Sequence, residues 1–582
     1  MHKARSEGVK KYPNAKRITI VTVLVFVACL LVNGLNPSPS QDQLFRDESM
    51  ARGAHRVSDL MTRTRWWEVR AFFHVSDPTR KGGAYERGEA KFDELHKVRP
   101  LLDEFQRNAQ RLVVPGKTCA MDEITIGFQG HHANLKQRCG KFKRAGDGFQ
   151  ADALVLRGGY VYAFVFRGDN TIPTIPGFSP LHNRCLYLLS FLFGTGLSGF
   201  WLFWDNLYPT LKVVAQIALG NALKAKIKGG PNTGKEITIN IPKILSAGTC
   251  RTNRGIPKSI IWPKLSGSAE EQLKALPLSQ RVKAQMTTDD AHVLTITVYD
   301  NAPVYIMTTI HDGVEFVEVF KRVHDADMGG RKSVSVLRLE CINDYNGNMN
   351  YVDVSDQLAK YYEIDGGSWR FRKWWHCIFH AFTKRAVDQA YLIYKKKCAE
   401  AEAARAASRA RRRGSPAGRT RTASRKKIAP MTHYRFQEEV VTGLVITAYN
   451  HLCPSSKPLD LSASWKEVKE ILPILKAEAG PAVAVPPSSG GDCSSQPARG
   501  DPSSRATGGT SGNTDASKKR RPLAVSFDDT VVLPTYGNGH DLAQFPKKTP
   551  SQSSPYCVWP HCKKGEDCKV QKCGEGMARV QS

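Results

Sequence analysis

The chain has 582 residues, enough for two or three domains each with its own core. A hydrophobic fraction of 41% and an aromatic fraction of 9% exclude a disordered chain. With 84 Lys and Arg against 54 Asp and Glu, the formal charge of +30 favours a polyanionic partner, nucleic acid being the commonest, although charge alone does not separate a nucleic-acid binder from a ribosomal or membrane-surface protein.

In chain order, the first feature is the run ITIVTVLVFVACLLV from Ile18 to Val32, preceded by Lys10, Lys11, Lys16 and Arg17. A signal peptide or anchor has this look. The uncharged run is about 15 to 18 residues, however, short of the roughly 20 a membrane span needs. It contains threonine and ends in Asn33-Gly34-Leu35-Asn36-Pro37, a helix stop, so a buried helix is expected and no membrane. Residues 1–112 read as a helical N-terminal domain, with Leu60, Met61, Trp66, Val69 and Phe72 at helical spacing.

Near Leu112 the period changes. MDEITIG and FQADALVLRGGYVYAFVFRG are alternating, β-branched and aromatic, with a hairpin turn at Gly158-Gly159. A helix (SPLHNRCLYLLSFLF) and a short apolar strand (GFWLFW) ending at Asp205 follow. After an insertion over about 215–290 come the strands VLTITVYD and PVYIMTTIH, and helical periodicity returns from Asn350 to Lys397. Strands and helices in this order predict an α/β core over 113–394, a mixed sheet flanked by helices. Residues 395–430 form a basic low-complexity insertion: Lys395 to Lys427 carries thirteen basic and two acidic residues. A helical end of the core follows over 431–476. Residues 477–550, rich in Pro, Gly, Ser and Thr, are expected to be a disordered linker, and 551–582 is a short cysteine-rich segment. The other cysteines are scattered singly, which points to reduced thiols in an intracellular protein.

Four aspartates stand out. Asp122 lies in a predicted strand, Asp205 at a strand end, and Asp353 and Asp356 at a helix start, three apart and so on one helix face. Each alone is as well explained by helix capping or a strand end. At these positions the chain resembles the piggyBac transposase family. Met121-Asp122-Glu123 is similar to the family's first aspartate, and Asp205-Asn206-Leu207-Tyr208-Pro209-Thr210 to its Asp-Asn-x-Phe/Tyr-Thr-Ser. Met349-Asn350-Tyr351-Val352-Asp353-Val354-Ser355-Asp356-Gln357 is similar to Met-Gly-Gly-Val-Asp-x-x-Asp-Gln. Gly248-Thr249-Cys250-Arg251-Thr252-Asn253-Arg254-Gly255-Ile256-Pro257 is similar to Gly-Thr-x-Arg-x-Asn-Arg-x-x-Pro. The resemblance runs in register from about residue 18 to 453.

The resemblance implies an RNase H-like catalytic core interrupted by an insertion, with Asp122, Asp205 and Asp353 catalytic. With Asp356 they would hold Mg²⁺ or Mn²⁺, hard ions that carboxylates suit. In that topology the first and fourth strands are neighbours, which brings Asp122 beside Asp205, and Asp353 completes the site from a following helix. The implied activity is metal-dependent strand cleavage and transfer at double-stranded transposon ends, through hairpin intermediates, with TTAA targets and a homodimer in the nucleus. Arg251 and Arg254 would contact DNA. The chain departs from the pattern at Pro209, at Asn350-Tyr351 in place of two glycines, and in extra residues around 220–246. A DNA-binding protein of the same descent that no longer cuts is the alternative.

Cys557, Cys562, Cys568 and Cys573 form C-x4-C-x5-C-x4-C, wider than usual structural zinc pairs but compatible with one Zn²⁺; a remnant with free thiols is the other reading. Arg411, Arg412 and Arg413 form a basic cluster suited to phosphate contact or nuclear import. Trp369, Trp374 and Trp375, among Arg370, Arg372 and Lys373, are expected in the core. No HExxH, Walker or dinucleotide motif occurs.

Overall fold

Thr19 starts the first helix, α1 (Ile20–Leu35), by a reciprocal cap in which its hydroxyl accepts from the Thr22 amide and the Thr22 hydroxyl from its own amide, 3.3 Å each. Twelve of the sixteen residues are buried. The segment that has the look of an anchor is thus a core helix, and no helix among the described residues is long and apolar enough to cross a membrane. The computed structural model describes residues 12, 15–45, 56–77, 88–132, 134–137, 146–287, 289–325, 329–365, 369, 371, 373–413, 429–456, 458–463, 465–478 and 525–526. All lie in one compact unit, Met1–Thr530. The second unit, Val531–Ser582, holds the four clustered cysteines, which fall outside the described residues, as does most of the expected linker.

After α1 come α2 (Arg63–Phe72) and α3 (Arg99–Leu112), the latter with Pro100 in its first turn, where a missing amide is harmless. The chain then enters a nine-stranded sheet. Its centre is built from β1 (Thr118–Gly127), β2 (Gly148–Leu156), β3 (Tyr160–Phe166), β4 (Phe200–Trp204) and β7 (Ile244–Thr249). β2 is antiparallel to β1 and β3 to β2, whereas β4 runs parallel to β1 and β7 parallel to β4. The spatial order is β3-β2-β1-β4-β7. Every residue of β2 and β3 is buried, so these strands read as continuous apolar runs. Between β3 and β4 lies α4 (Pro180–Phe193), and between β4 and β7 lie α5 (Leu211–Leu219) and the strands β5 (Ala222–Ile227) and β6 (Glu236–Asn240). Beyond β7 the sheet continues through β10 (Pro303–Thr308), β9 (Leu294–Tyr299) and β8 (Val282–Met286), all antiparallel. A separate ribbon of β11 (Phe316–Asp325) and β12 (Gly330–Leu339) leads into α6 (Glu340–Asn348) and α7 (Tyr351–Lys360). Among the described residues three more helices follow: α8 (Trp374–Arg413), α9 (His433–Leu452) and α10 (Trp465–Glu478).

Three expected boundaries shift. Residues 1–112 share one apolar core with the C-terminal helices and a face of the sheet, joining Phe26, Trp66, Phe105, Phe164, Phe382 and Val445. The reason is that α1 is buried nearly all round and needs partners on every side. Gln437 of α9 donates to the Leu31 carbonyl at 2.9 Å, and Asn33 to the Ile364 carbonyl at 3.0 Å. Second, the region expected as an insertion, about 215–290, contains β7, a central strand with its own parallel neighbour; only 220–240 forms a side hairpin, β5 with β6. Third, the break expected before Lys395 is absent: α8 runs on to Arg413, through Ala, Glu and Arg, all strong helix formers.

Candidate active site

The expected site rests on strand register. Trp204, the last residue of β4, pairs with Met121 of β1 in parallel, so Asp205 comes level with Asp122. A one-residue slip would turn Asp122 to the other face, because side chains alternate along a strand. Glu123, its neighbour, pairs with Asp152 of β2 on that other face. There a network holds the sheet from behind. Asp152, fully buried, accepts from Arg167 at 2.8 Å, from Arg184 at 2.5 Å and from the Tyr208 hydroxyl at 3.0 Å, and Arg167 also pairs with Glu123. Tyr208 stands in the loop that Asp205 begins, so the network ties that loop to the strands of Asp122 and Asp152. A buried carboxylate needs such partners, since an unpaired buried charge is costly.

The Asp205 loop is tightly packed. Thr210 caps α5, its hydroxyl accepting from the Val213 amide at 3.4 Å. The Thr249 hydroxyl, at the end of β7, donates to Asp205 Oδ1 at 3.4 Å and shares a 3.3 Å hydrogen bond with the Tyr345 hydroxyl of α6. A Cβ on Gly248 would collide with the Trp204 ring and lie 2.6 Å from its carbonyl oxygen and 2.9 Å from Pro209 Cγ. Gly248 therefore lets β7 close on the Asp205 turn, and Pro209 fits against it.

Asp353 is in the first turn of α7, exposed to solvent. Helix α7 is seated by the hairpin turn between β2 and β3: Gly159, at φ 93°, would place a Cβ 3.0 Å from the Ser355 amide nitrogen and from Val354 Cγ1. Tyr351 is buried in the N-terminal core and Asn350 stands at the N-cap position of α7, φ −78°, without a side-chain cap bond, so the backbone there does not demand glycine.

The Asp122 carboxyl feels the charges of the other two aspartates. Burial raises the Asp122 carboxyl, the Glu123 amide bond of 2.7 Å opposes it, and the charges of Asp205, Asp353 and Glu123 raise it further, to about 7. Tyr345 is pushed up to about 12, first by burial; the Thr249 bond opposes, and the charges of Asp205, Asp122 and Asp353 add. The acidic focus thus lies between β1, β4, α6 and α7. Among the described residues, however, no three His, Cys, Asp or Glu side chains approach closely enough to hold one metal ion as they stand. Asp356 is turned to Arg385, paired at 2.7 Å, while Arg385 also donates to the Ser355 hydroxyl at 2.9 Å.

Arg251 is exposed and donates to the Asn206 side chain at 3.3 Å, beside Asp205, and Arg254 is half-buried with its Nε unpartnered. Arg411, Arg412 and Arg413 end α8, and only their backbone is described. Trp369 and Trp375 are core residues, with Trp374 packed against them. Sequence reasoning missed Asp152, Arg167, Arg184 and Tyr345, and gave Thr249, inside the Gly248–Pro257 motif, no role of its own. Asp152 had a signal, being the one acid inside the apolar run FQADALVL.

A family model described as Transposase IS4 matches residues 3–171, a span that includes Asp122. No curated protein matches the chain. Among solved structures, the cryo-EM structure of a piggyBac transposase synaptic complex with hairpin DNA is similar, with a TM-score of 0.51 and 14% identity over 84% of this chain and 82% of that chain. The chain therefore has a fold like that of a piggyBac transposase, a mixed sheet with flanking helices, and its N-terminal part is similar to transposases of the IS4 type.

Proposed function

We propose that the chain is a piggyBac-like DNA transposase, cutting and joining strands at the ends of a double-stranded element with TTAA as target. The observation that carries this reading is the coupling of Asp122 to Asp205 and Asp353, three carboxylates from distant positions whose charges meet at one end of the sheet. The order β3-β2-β1-β4-β7, with only β2 antiparallel among the five, is what an RNase H-like core requires. The similar solved structure is itself a complex with hairpin DNA.

Asp122, Asp205 and Asp353 would hold divalent ions, Mg²⁺ or Mn²⁺. Their hard oxygen donors and mutual repulsion suit a cation, although the carboxylates must draw closer to share one. When bound, such ions supply an activated hydroxyl and stabilise the leaving oxygen. The chain's own part is to place the carboxylates: Thr249 and the Tyr208–Asp152 bond fix the Asp205 turn, and Gly159 seats the helix of Asp353. Asp356, paired with Arg385, steadies α7 in the first instance and would reach an ion only by leaving that pair. Arg251 and Arg254 would meet the DNA backbone beside Asp205. A homodimer, a nuclear location served by the basic clusters, and one Zn²⁺ at Cys557, Cys562, Cys568 and Cys573 complete the proposal.

Replacing Asp205 with Ala should abolish nicking of the element's own ends in Mg²⁺ or Mn²⁺ and leave binding to those ends nearly intact, because the carboxylate is not part of the apolar core. The departures from the family pattern at Pro209 and at Asn350-Tyr351 favour a second reading, a DNA-binding descendant that no longer cuts. Unmodified protein that binds its ends but never nicks them would establish that second reading and sink the first.

A further inference from the structure

Trp66, Trp67 and Trp369 surround the Arg70 guanidinium, and among the described residues the basic groups gathered there have no carboxylate paired with them. Arg70 of α2 is half-buried, its guanidinium 6.0 Å from the Trp66 ring, 5.8 Å from Trp67 and 6.0 Å from Trp369. Its Nη1 is buried without a hydrogen-bond partner. Two imidazoles from the first turns of α8 share its neighbourhood. His376 is 8% exposed with Nε2 unpartnered, and His380 is 3% exposed with Nδ1 unpartnered. Lys373, just before α8, is half-buried and, among the described residues, donates only to the Ala71 carbonyl, at 3.3 Å. Among the described residues no carboxylate pairs with any of these four.

Burying like charges together without an acid is costly, and three orphaned polar atoms in one place add to that cost. The cations bear on the imidazoles directly: burial first, then Arg70, His380 and Lys373 push His376 down to about 2, and burial with Arg70 holds His380 well below the usual range. The location adds to the case, because the amino end of a forty-residue helix carries partial positive charge and no acid stands in its first turn. Guanidinium, ammonium and two imidazole nitrogens offer donors from several directions, which suits the oxygens of a phosphate.

We propose that Arg70, Lys373, His376 and His380 form a phosphate-binding site, and that its occupant is a phosphate of the DNA backbone, gripped by the helical body and not by the sheet that carries the aspartates. The DNA part rests on the function proposed above; the phosphate chemistry stands on the cluster alone. Trp66, Trp67 and Trp369 form the wall on the Arg70 side of the site.

Two variants test this in the full-length protein, Lys373→Gln and His376→Phe. The second removes an unpartnered buried nitrogen and keeps a ring against Trp375, whose ring centre is 4.1 Å away, so the free protein should hold or gain stability. Inorganic phosphate should raise the thermal midpoint of the unmodified protein and lose that effect in both variants. A short duplex of arbitrary sequence should bind each variant roughly tenfold more weakly. For Lys373→Gln the slope of log affinity against log salt should fall by about one. Unchanged duplex affinity and slope, with the phosphate shift lost, would make this a free-anion site and overturn the DNA assignment. No phosphate shift and unchanged duplex binding would leave only a structural cation–aromatic cluster and overturn the proposal. An unmodified protein that binds no duplex would defeat the proposed function and the DNA occupant together, while the phosphate shift would still report on the cluster.

Discussion

Asp122 is the residue whose surroundings say most. Its carboxyl is raised to about 7 by burial and by the neighbouring carboxylates, so the folded protein holds that proton more tightly than the unfolded chain does. The linked stabilisation is therefore full below the usual carboxylate range near 4 and is lost as pH rises through about 7. Asp122→Asn removes the repulsion at neutral pH and changes little at pH 4. Thermal unfolding of the metal-free protein should show the variant more stable at pH 8, on the order of 1–2 kcal/mol after screening is discounted, with the two curves meeting in acid. Divalent ions should narrow the gap by stabilising only the unmodified protein. A gap that is the same at both pH values would mean that the carboxylates do not repel one another in the fold.

At the scale of elements, the site depends on how α7 is set against the hairpin of β2 and β3. Gly159 serves two needs there, a positive φ and the absence of a Cβ against the helix backbone. Gly88 has a similar φ of 103° with nothing within 4 Å, which makes it a control for backbone strain alone. Gly159→Ala should cost about 1–3 kcal/mol and Gly88→Ala less, as chemical denaturation would measure. Cleavage should fall further in Gly159→Ala than its stability explains, since the helix of Asp353 must move. Equal losses in the two variants would show that the turn does not position α7. The Asp152 network is the counterpart behind the sheet, linking β1, β2 and α4 through charge pairs and the Asp205 turn through the Tyr208 hydrogen bond.

For the molecule as a whole, the two ends of the described chain form one body. Phe26, 2% exposed, lies 4.9 Å from the Trp66 ring and 5.7 Å from Phe73, in the core that also contains Phe379 and Val445. Phe26→Ala should cost about 3–5 kcal/mol and lower a single unfolding transition seen alike by probes in α1 and α9. A separate early transition for residues 1–112 would restore them as an independent domain. Much of this fold was legible in the sequence. The apolar runs around Asp122, Gly158-Gly159, Phe200–Trp204 and Leu294–Thr308 marked strands, because local periodicity and turn chemistry are written residue by residue. The too-short apolar run at Ile18–Val32 likewise marked a buried helix. Tertiary structure alone decided what periodicity cannot carry: that β7 belongs to the central sheet, that α1 packs on helices over 400 residues away as by the Gln437–Leu31 bond, and that Asp356 faces Arg385. Those outcomes depend on strand register and on which charge finds which partner, and both are settled by long-range pairing energies that no local window of sequence contains.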